Sequence, residues 1–439
     1  MKIAQADYLK RRKELLSLLP EHSIALVPAS SLKTRNRDAE YAFRQDSDFY
    51  YLTGFNEPDA LLVLIPGRIE GEMVMFCPPR DPAMEVWTGY RAGPEGCIND
   101  YGMDQAFPLD QLDSQLPELI NGRSVLCYAQ GQDTEFDQRV NSWLETLRVK
   151  VRQGAVVPQI IMMLDSWLHE MRLYKDEAEI AVMQRAAQIS AEAHTLAMHK
   201  CRPGMQEYQL ESLIQHYCAM SGARFQAYSP IVGGGANACI LHYIENSAEL
   251  KSGDLVLIDA GCELDNYASD ITRTFPVNGR FSDAQKALYQ VVLDTQIACI
   301  DAMKPGVAWG DIHDLSVQRL TEGLVTLGLL NGDVDELVRT EAYKPFYMHR
   351  IGHWLGMDVH DVGLYKHQGE WRPLEPGMVM TIEPGLYVAP DNMDVDPCWR
   401  GIGIRIEDDV LVTETGHFVL TSGVPKTIDD IEALMQSGE

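Results

Sequence analysis

Two textures of hydrophobic patterning divide the chain. Over roughly the first 150 residues, short apolar runs such as SIALVPAS, ALLVLIP and EMVMFCP alternate with polar turns and helical stretches. That alternation predicts an α/β or α+β unit with its own sheet. The opening stretch, MKIAQADYLKRRKELLSLLPEHS, carries its basic residues inside an amphipathic pattern and predicts a surface helix, hence a cytoplasmic protein. After VVPQIIMMLDSWLHEMRLYKDEAEI the texture changes. Lys175, Asp176 and Glu177 stand where a helix N-terminus welcomes acids, and Ile180, Met183, Ala187, Ala191, His194 and Met198 follow at three- and four-residue steps. They predict one amphipathic helix, stopped by Pro203-Gly204, with His194 in the core. The boundary falls near residue 170, giving domains 1–170 and 171–439.

The second part repeats itself. AMHKCRPGMQEYQLESLIQ is echoed by CIDAMKPGVAWGDIHDLSVQR, and each copy is followed by a segment of the form G-x5-[DE]-x-G. Gly253, Asp259 and Gly261 in the first match Gly377, Glu383 and Gly385 in the second. A returning strand in each half carries a second acid, Asp270 in ASDITRTFPV and Glu407 in GIGIRIEDDVLVT. A pseudo-two-fold axis relating the halves brings the four acids to one centre.

A lone strand-end acid is most often a turn former, but four in repeat-related places call for a common cause. Carboxylates gathered together repel and raise each other's pKa unless a cation neutralises them. Four are too many for a mononuclear zinc site, and a pair of divalent ions about 3.5 Å apart is the better match. Oxygen-rich donors with imidazole and no thiolate favour Mn²⁺, Co²⁺ or Fe²⁺, with Zn²⁺ as an alternative. The nitrogen ligand is expected from MHRIGHWLGMDVHDVG, where His349, His353 and His360 are interleaved with Asp358 and Asp361, and where Gly352 and Gly356 allow close backbone approach.

Composition narrows the partners. With 64 acidic against 37 basic residues and a net charge of −27, a nucleic-acid partner is excluded, because polyphosphate needs a basic face. No apolar run approaches the roughly 18 residues of a membrane span. The nine cysteines include no C-x-x-C pair, which predicts buried thiols rather than a disulfide framework or thiolate metal site.

The blocks HWLGMDVHDVG, LIDAGCELDNYASDITRTFPV, TIEPGLY and RGIGIRIEDDVLVTETG closely resemble those of the bacterial Xaa-Pro aminopeptidases (aminopeptidase P). These belong to the creatinase/prolidase/methionine aminopeptidase superfamily, and FRQDSDFYYLTGFNEPDALLVLIP is similar to their N-terminal domain. The resemblance implies an α/β (α+β) chain, with a creatinase-like domain over 1–170, serving oligomerisation and substrate access, and a pita-bread catalytic domain over 171–439. It implies five metal ligands. Asp270 and Glu407 bridge, Asp259 completes one metal, and His353 and Glu383 complete the other. The metals are normally two Mn²⁺, with Co²⁺ or Zn²⁺ as alternatives. The resemblance also places His360 near the tetrahedral intermediate, lines the proline pocket with His242, His349 and Arg405, and counts Tyr228 and Tyr387 with the substrate-binding residues. Glu383 is the implied proton carrier. Trp87, in MEVWTG, matches a tryptophan that reaches a neighbouring active site in a homotetramer or dimer. The implied reaction is hydrolysis of the bond between an N-terminal residue and a following proline. Two rivals share the fold: a prolidase restricted to Xaa-Pro dipeptides and a non-catalytic binding module. One departure is visible between His349 and His353, where relatives often have small residues and this chain has Arg350-Ile351-Gly352.

Overall fold

The computed structural model describes residues 2–437. The chain forms two compact units, residues 2–172 and residues from 173 onward.

The first unit is built on a six-stranded sheet in the order Gln105–Pro108, Met73–Cys77, Leu61–Leu64, Ser23–Pro28, Val125–Tyr128, Ile160–Met163. Ser23–Pro28 runs antiparallel to Leu61–Leu64 and parallel to Val125–Tyr128, so the sheet is mixed. Leu116, Ile120, Val140, Trp143 and Leu147 of two helices pack on Ile24, Leu26, Val63 and Leu126 to close one core. The opening helix, Gln5–Leu18, is the amphipathic surface helix its pattern predicts, with Lys10, Lys13 and Glu14 exposed, but two of its basic residues turn inward. Arg11 and Arg12 are buried, and their guanidiniums donate to the carbonyls of Tyr51 (3.3 Å) and Leu52 (2.7 Å). Those carbonyls belong to the last turn of the Ser47–Thr53 helix, which has no intrahelical donors for them.

The second unit opens on helix Glu177–Lys200, where Asp176 and Glu179 form a reciprocal capping box. Val182, Ala186, Ile189, Ala193 and Ala197 are buried along with most of the predicted stripe, so the helix is enclosed over a wide arc. Its small residues let neighbours approach closely. His194 is buried, as its place on the stripe predicts, and its Nε2 lies 2.9 Å from the Ala260 carbonyl.

The internal repeat is written in the backbone. Helix pair Glu177–Lys200 and Glu207–Met220 is matched by Asp283–Ala302 and Trp309–Thr326. The linking glycines, Gly204 and Gly306, have φ of 89° and 88°, and each donates its N–H to a leucine carbonyl, Leu250 and Leu374, at 2.8 Å. Three residues beyond those leucines, Gly253 and Gly377 turn the chain with φ of 93° and 91°. Strand Leu255–Asp259 then pairs antiparallel with Thr272–Pro276, Asp259 opposite Thr272. Strand Val379–Ile382 pairs antiparallel with Asp408–Val412, Ile382 opposite Asp408. Glu383 and Glu407 therefore stand just past the last rung of one ladder, and Asp259 and Asp270 at the end of the other. This is the pita-bread arrangement, with the repeat placing all four acids at strand ends.

Candidate metal centre

The ends of the two ladders open into a cavity of about 930 Å³. Its lining includes Asp259, Asp270, His353, Glu383 and Glu407, the five predicted ligands, together with Tyr228, His242, His349, His360 and Arg405. One ligand atom from each of Asp270, His353 and Glu407 lies within 4.8 Å of the others. Glu383 joins them through His353, whose Nε2 is 3.6 Å from Glu383 Oε1 and 3.5 Å from Asp270 Oδ2. Asp259 joins through Tyr228, whose hydroxyl is 2.6 Å from Asp259 Oδ1 and also contacts Asp270 Oδ1. Tyr228 has a single proton for these two carboxylate oxygens. One contact therefore needs a second proton or a cation.

Electrostatics make the same demand. Burial pushes Glu383 up to about 7, against the pull of His353 and Arg405. Burial and then the Asp259 charge raise Asp270, and burial followed by Asp270 and Glu383 raises Glu407 well above the usual carboxylate range. Burial disfavours a charged His353, but the Asp270 and Glu383 carboxylates outweigh it and hold the imidazole up to about 9. Four converging carboxylates, one imidazole and one guanidinium leave an excess of negative charge. A donor set of four carboxylates and an imidazole, with no thiolate, fits hard or borderline divalent cations.

Each candidate ligand is oriented by a neighbour. His353 Nδ1 lies 3.0 Å from the Trp354 carbonyl, which can only accept, so Nδ1 carries the proton and Nε2 faces the acids. The Thr381 hydroxyl accepts from the His353 backbone N–H (3.0 Å) and donates to Glu383 Oε1 (3.4 Å). Thr272 donates to Glu407 Oε2 (2.6 Å) and accepts from Arg405 Nε (3.1 Å). Asp409 accepts the Asp270 backbone N–H at 3.0 Å. These three partners are absent from the sequence reading. The signal for them is spacing: Thr272, Thr381 and Asp409 each lie two residues from a candidate ligand, the period of a strand.

A second chain of hydrogen bonds fixes the wall beside the acids. Arg405 Nη2 pairs with Asp259 Oδ2 at 2.5 Å, and Nη1 donates to the Tyr387 hydroxyl at 3.0 Å. That hydroxyl lies 2.9 Å from His349 Nε2, and His349 Nδ1 lies 2.8 Å from the Arg350 carbonyl. Burial, then the Arg405 charge, lowers His349 to about 3, so it is neutral and accepts from Tyr387. His360 faces the cavity with its ring centroid 4.3 Å from that of His353. Burial and the His353 charge lower its pKa. Its loop is pinned by a buried ion pair, Lys175 Nζ to Asp361 Oδ2 at 2.9 Å. Trp87 is on helix Pro82–Thr88 of the first unit and is 85% exposed.

The same fold and residues place the chain among known enzymes. The model for metallopeptidase family M24 matches residues 181–414, and that for the aminopeptidase P N-terminal domain matches residues 8–128. The chain belongs to metallopeptidase family M24. Within that family its similarity is to aminopeptidase P. The Xaa-Pro aminopeptidase of Escherichia coli (strain K12) is 49% identical over 434 residues, covering 99% of this chain and 98% of its own. That of Haemophilus influenzae is 44% identical over the same shares. The solved structure of Pseudomonas aeruginosa aminopeptidase PepP superposes with a TM-score of 0.99 at 56% identity, over 100% of this chain and 99% of that one.

Proposed function

We propose that the chain is a dinuclear-metal aminopeptidase hydrolysing the bond between an N-terminal residue and a following proline. The observation that carries this reading is the convergence of Asp270, His353 and Glu407 within 4.8 Å, with Asp259 and Glu383 tied to the same group. Asp259, Asp270, His353, Glu383 and Glu407 would hold two divalent cations, Mn²⁺ in the first instance and Co²⁺ or Zn²⁺ as alternatives. When bound, such cations bring the pKa of water toward neutrality and polarise a carbonyl.

The chain's own residues supply the rest. Glu383 carries a proton from the attacking water to the departing proline nitrogen. His360 donates to charge that develops only in the tetrahedral state, an effect on the order of 3 kcal/mol for a preorganised donor. An Xaa-Pro bond is a tertiary amide without N–H, so the proline pocket needs shape rather than an acceptor. His242, neutral His349 and Arg405 provide that wall, with Tyr387 buried behind it and bonded to the last two, and with Tyr228 fixed across Asp259 and Asp270. By resemblance, the 1–170 domain serves assembly as a homotetramer or dimer, with Trp87 reaching a neighbouring site, and the enzyme works in the cytoplasm. No described helix is long and apolar enough to cross a membrane.

Metal-reconstituted protein assayed on Xaa-Pro and Xaa-Pro-Yaa tests the reaction and its chain-length preference together. Faster turnover of the tripeptide is expected. Turnover of the dipeptide alone would show a prolidase, and hydrolysis of neither would refute the reading.

A further inference from the structure

The cavity that holds the acids also carries two cations besides Arg405. Arg350 and Lys366 line it, both are exposed, and neither makes an ion pair among the described residues. In a chain of net charge −27, two unpaired cations on one cavity wall are out of keeping with their surroundings.

They are arranged about one ring. Lys366 Nζ lies 4.2 Å from the centroid of Trp371, and Arg350 Cζ lies 5.9 Å from it. Lys366 stands opposite Trp371 in the hairpin Lys366–His367/Glu370–Trp371, which fixes the pair in register. The ring is seated on Trp309, centroids 5.1 Å apart, and a side chain at Gly310 would collide with it. Glu370, on the same hairpin, pairs in register with His367 rather than with Lys366. An aromatic face stabilises each cation but does not neutralise its charge. A carboxylate bound at this part of the cavity would.

The position of the pair indicates which anion. Arg350 directly follows His349 of the proposed proline wall, and His349 Nδ1 in turn lies 4.0 Å from Glu383 Oε2. A peptide with its free amino group toward the acids and proline against His349 runs on toward Arg350 and Lys366. At about 930 Å³ the cavity lies in the range of about 300–1,000 Å³ usual for small-ligand sites, which leaves room past an Xaa-Pro unit.

We propose that Arg350 and Lys366, each within reach of the Trp371 ring, form a subsite for a carboxylate carried beyond the proline, so that short Xaa-Pro-Yaa peptides with a free C-terminus are preferred. This rests on the Xaa-Pro reading above. Two paired substrates test it in manganese-loaded protein: Xaa-Pro-Yaa as free acid and as C-terminal amide, and Xaa-Pro-Gly-Asp-amide against Xaa-Pro-Gly-Asn-amide. The free acid should exceed its amide in kcat/KM by roughly threefold to tenfold, chiefly through KM, and the advantage should shrink as salt is raised. A larger effect in the aspartate pair assigns the subsite to an acidic side chain instead of the terminus. In the Arg350→Gln/Lys366→Gln double variant both ratios should fall to about one, whereas Lys366→Arg should retain them. Equal rates for acid and amide in both pairs would overturn the subsite while leaving the peptidase reading standing. So would ratios that persist in the double variant. Failure to cleave any of the four peptides would remove the peptidase reading and the subsite with it.

Discussion

Thr272→Val removes one hydroxyl from beneath the metal centre and changes little else. Thr272 is fully buried in a strand, where valine has a similar volume and a favourable propensity. The hydroxyl donates to Glu407 Oε2 at 2.6 Å and accepts from Arg405 Nε at 3.1 Å, so valine leaves two buried charged groups each short of a partner. Hydrogen bonds to charged groups are worth about 1.5–3 kcal/mol each, which bounds the loss at about 3–6 kcal/mol before relaxation. Only the part that orients Glu407 appears in metal affinity. Removing such an orienting partner typically costs about 10–100-fold, or about 1.4–2.7 kcal/mol. Thr272→Val should therefore weaken Mn²⁺ binding by that factor in a calorimetric titration and lower the thermal midpoint. Thr272→Ser, which keeps the hydroxyl, should stay within about threefold of the parent. Unchanged Mn²⁺ affinity in a folded Thr272→Val protein would refute the assignment of Glu407 as a ligand oriented through Thr272.

Three further outcomes follow from the buried charges and backbone contacts. Lys175→Met removes the 2.9 Å cationic partner of the buried Asp361 carboxylate and should lower stability in chemical denaturation; adding Asp361→Leu should recover part of the loss, and an unrecovered double variant would contradict the pairing. Asp408, although burial pushes its carboxyl up, is held down to about 2 by Arg273 and Lys426. Because the folded value lies below the unfolded 3.8, the stabilisation is complete above about pH 4 and is lost as pH falls toward 2. It amounts to about 2 kcal/mol, and Asp408→Asn should flatten that stretch of the stability curve. Gly352→Ala drives a methyl into the Thr381 carbonyl, so it should lower the thermal midpoint and weaken metal binding through the displaced Thr381 hydroxyl; a variant with parent-like values for both would show that the two strands part freely.

Much of the centre is legible in the sequence because the repeat doubles every signal. A single acid after an apolar run is commonplace, but Gly253-x5-Asp259 and Gly377-x5-Glu383 share a spacing whose cause is visible in the matched φ of 93° and 91°. His194 is legible as core because helical spacing alone puts it on the apolar stripe. Arg11 and Arg12 are not, since a basic residue in an amphipathic helix reads as solvated until the carbonyls of Tyr51 and Leu52 are found beside it. Thr381 and Lys175 are equally silent, because what matters about them is a partner up to 186 residues away. The Arg350 departure can be seen in sequence, but its place near the Trp371 ring that Lys366 also faces depends on a short hairpin and on the Trp309 seat beneath Trp371.

The central claim is that four acids and one imidazole hold two cations on which peptide hydrolysis depends. Metal-stripped protein titrated with Mn²⁺, with bound metal counted against hydrolysis of one Xaa-Pro-Yaa peptide, tests it most directly. The account predicts negligible rate without metal, full rate only as the second ion per chain is filled, and loss of both rate and stoichiometry in Asp270→Ala. Full rate in the stripped protein, or saturation of activity in Asp270→Ala at the parent level, would contradict it.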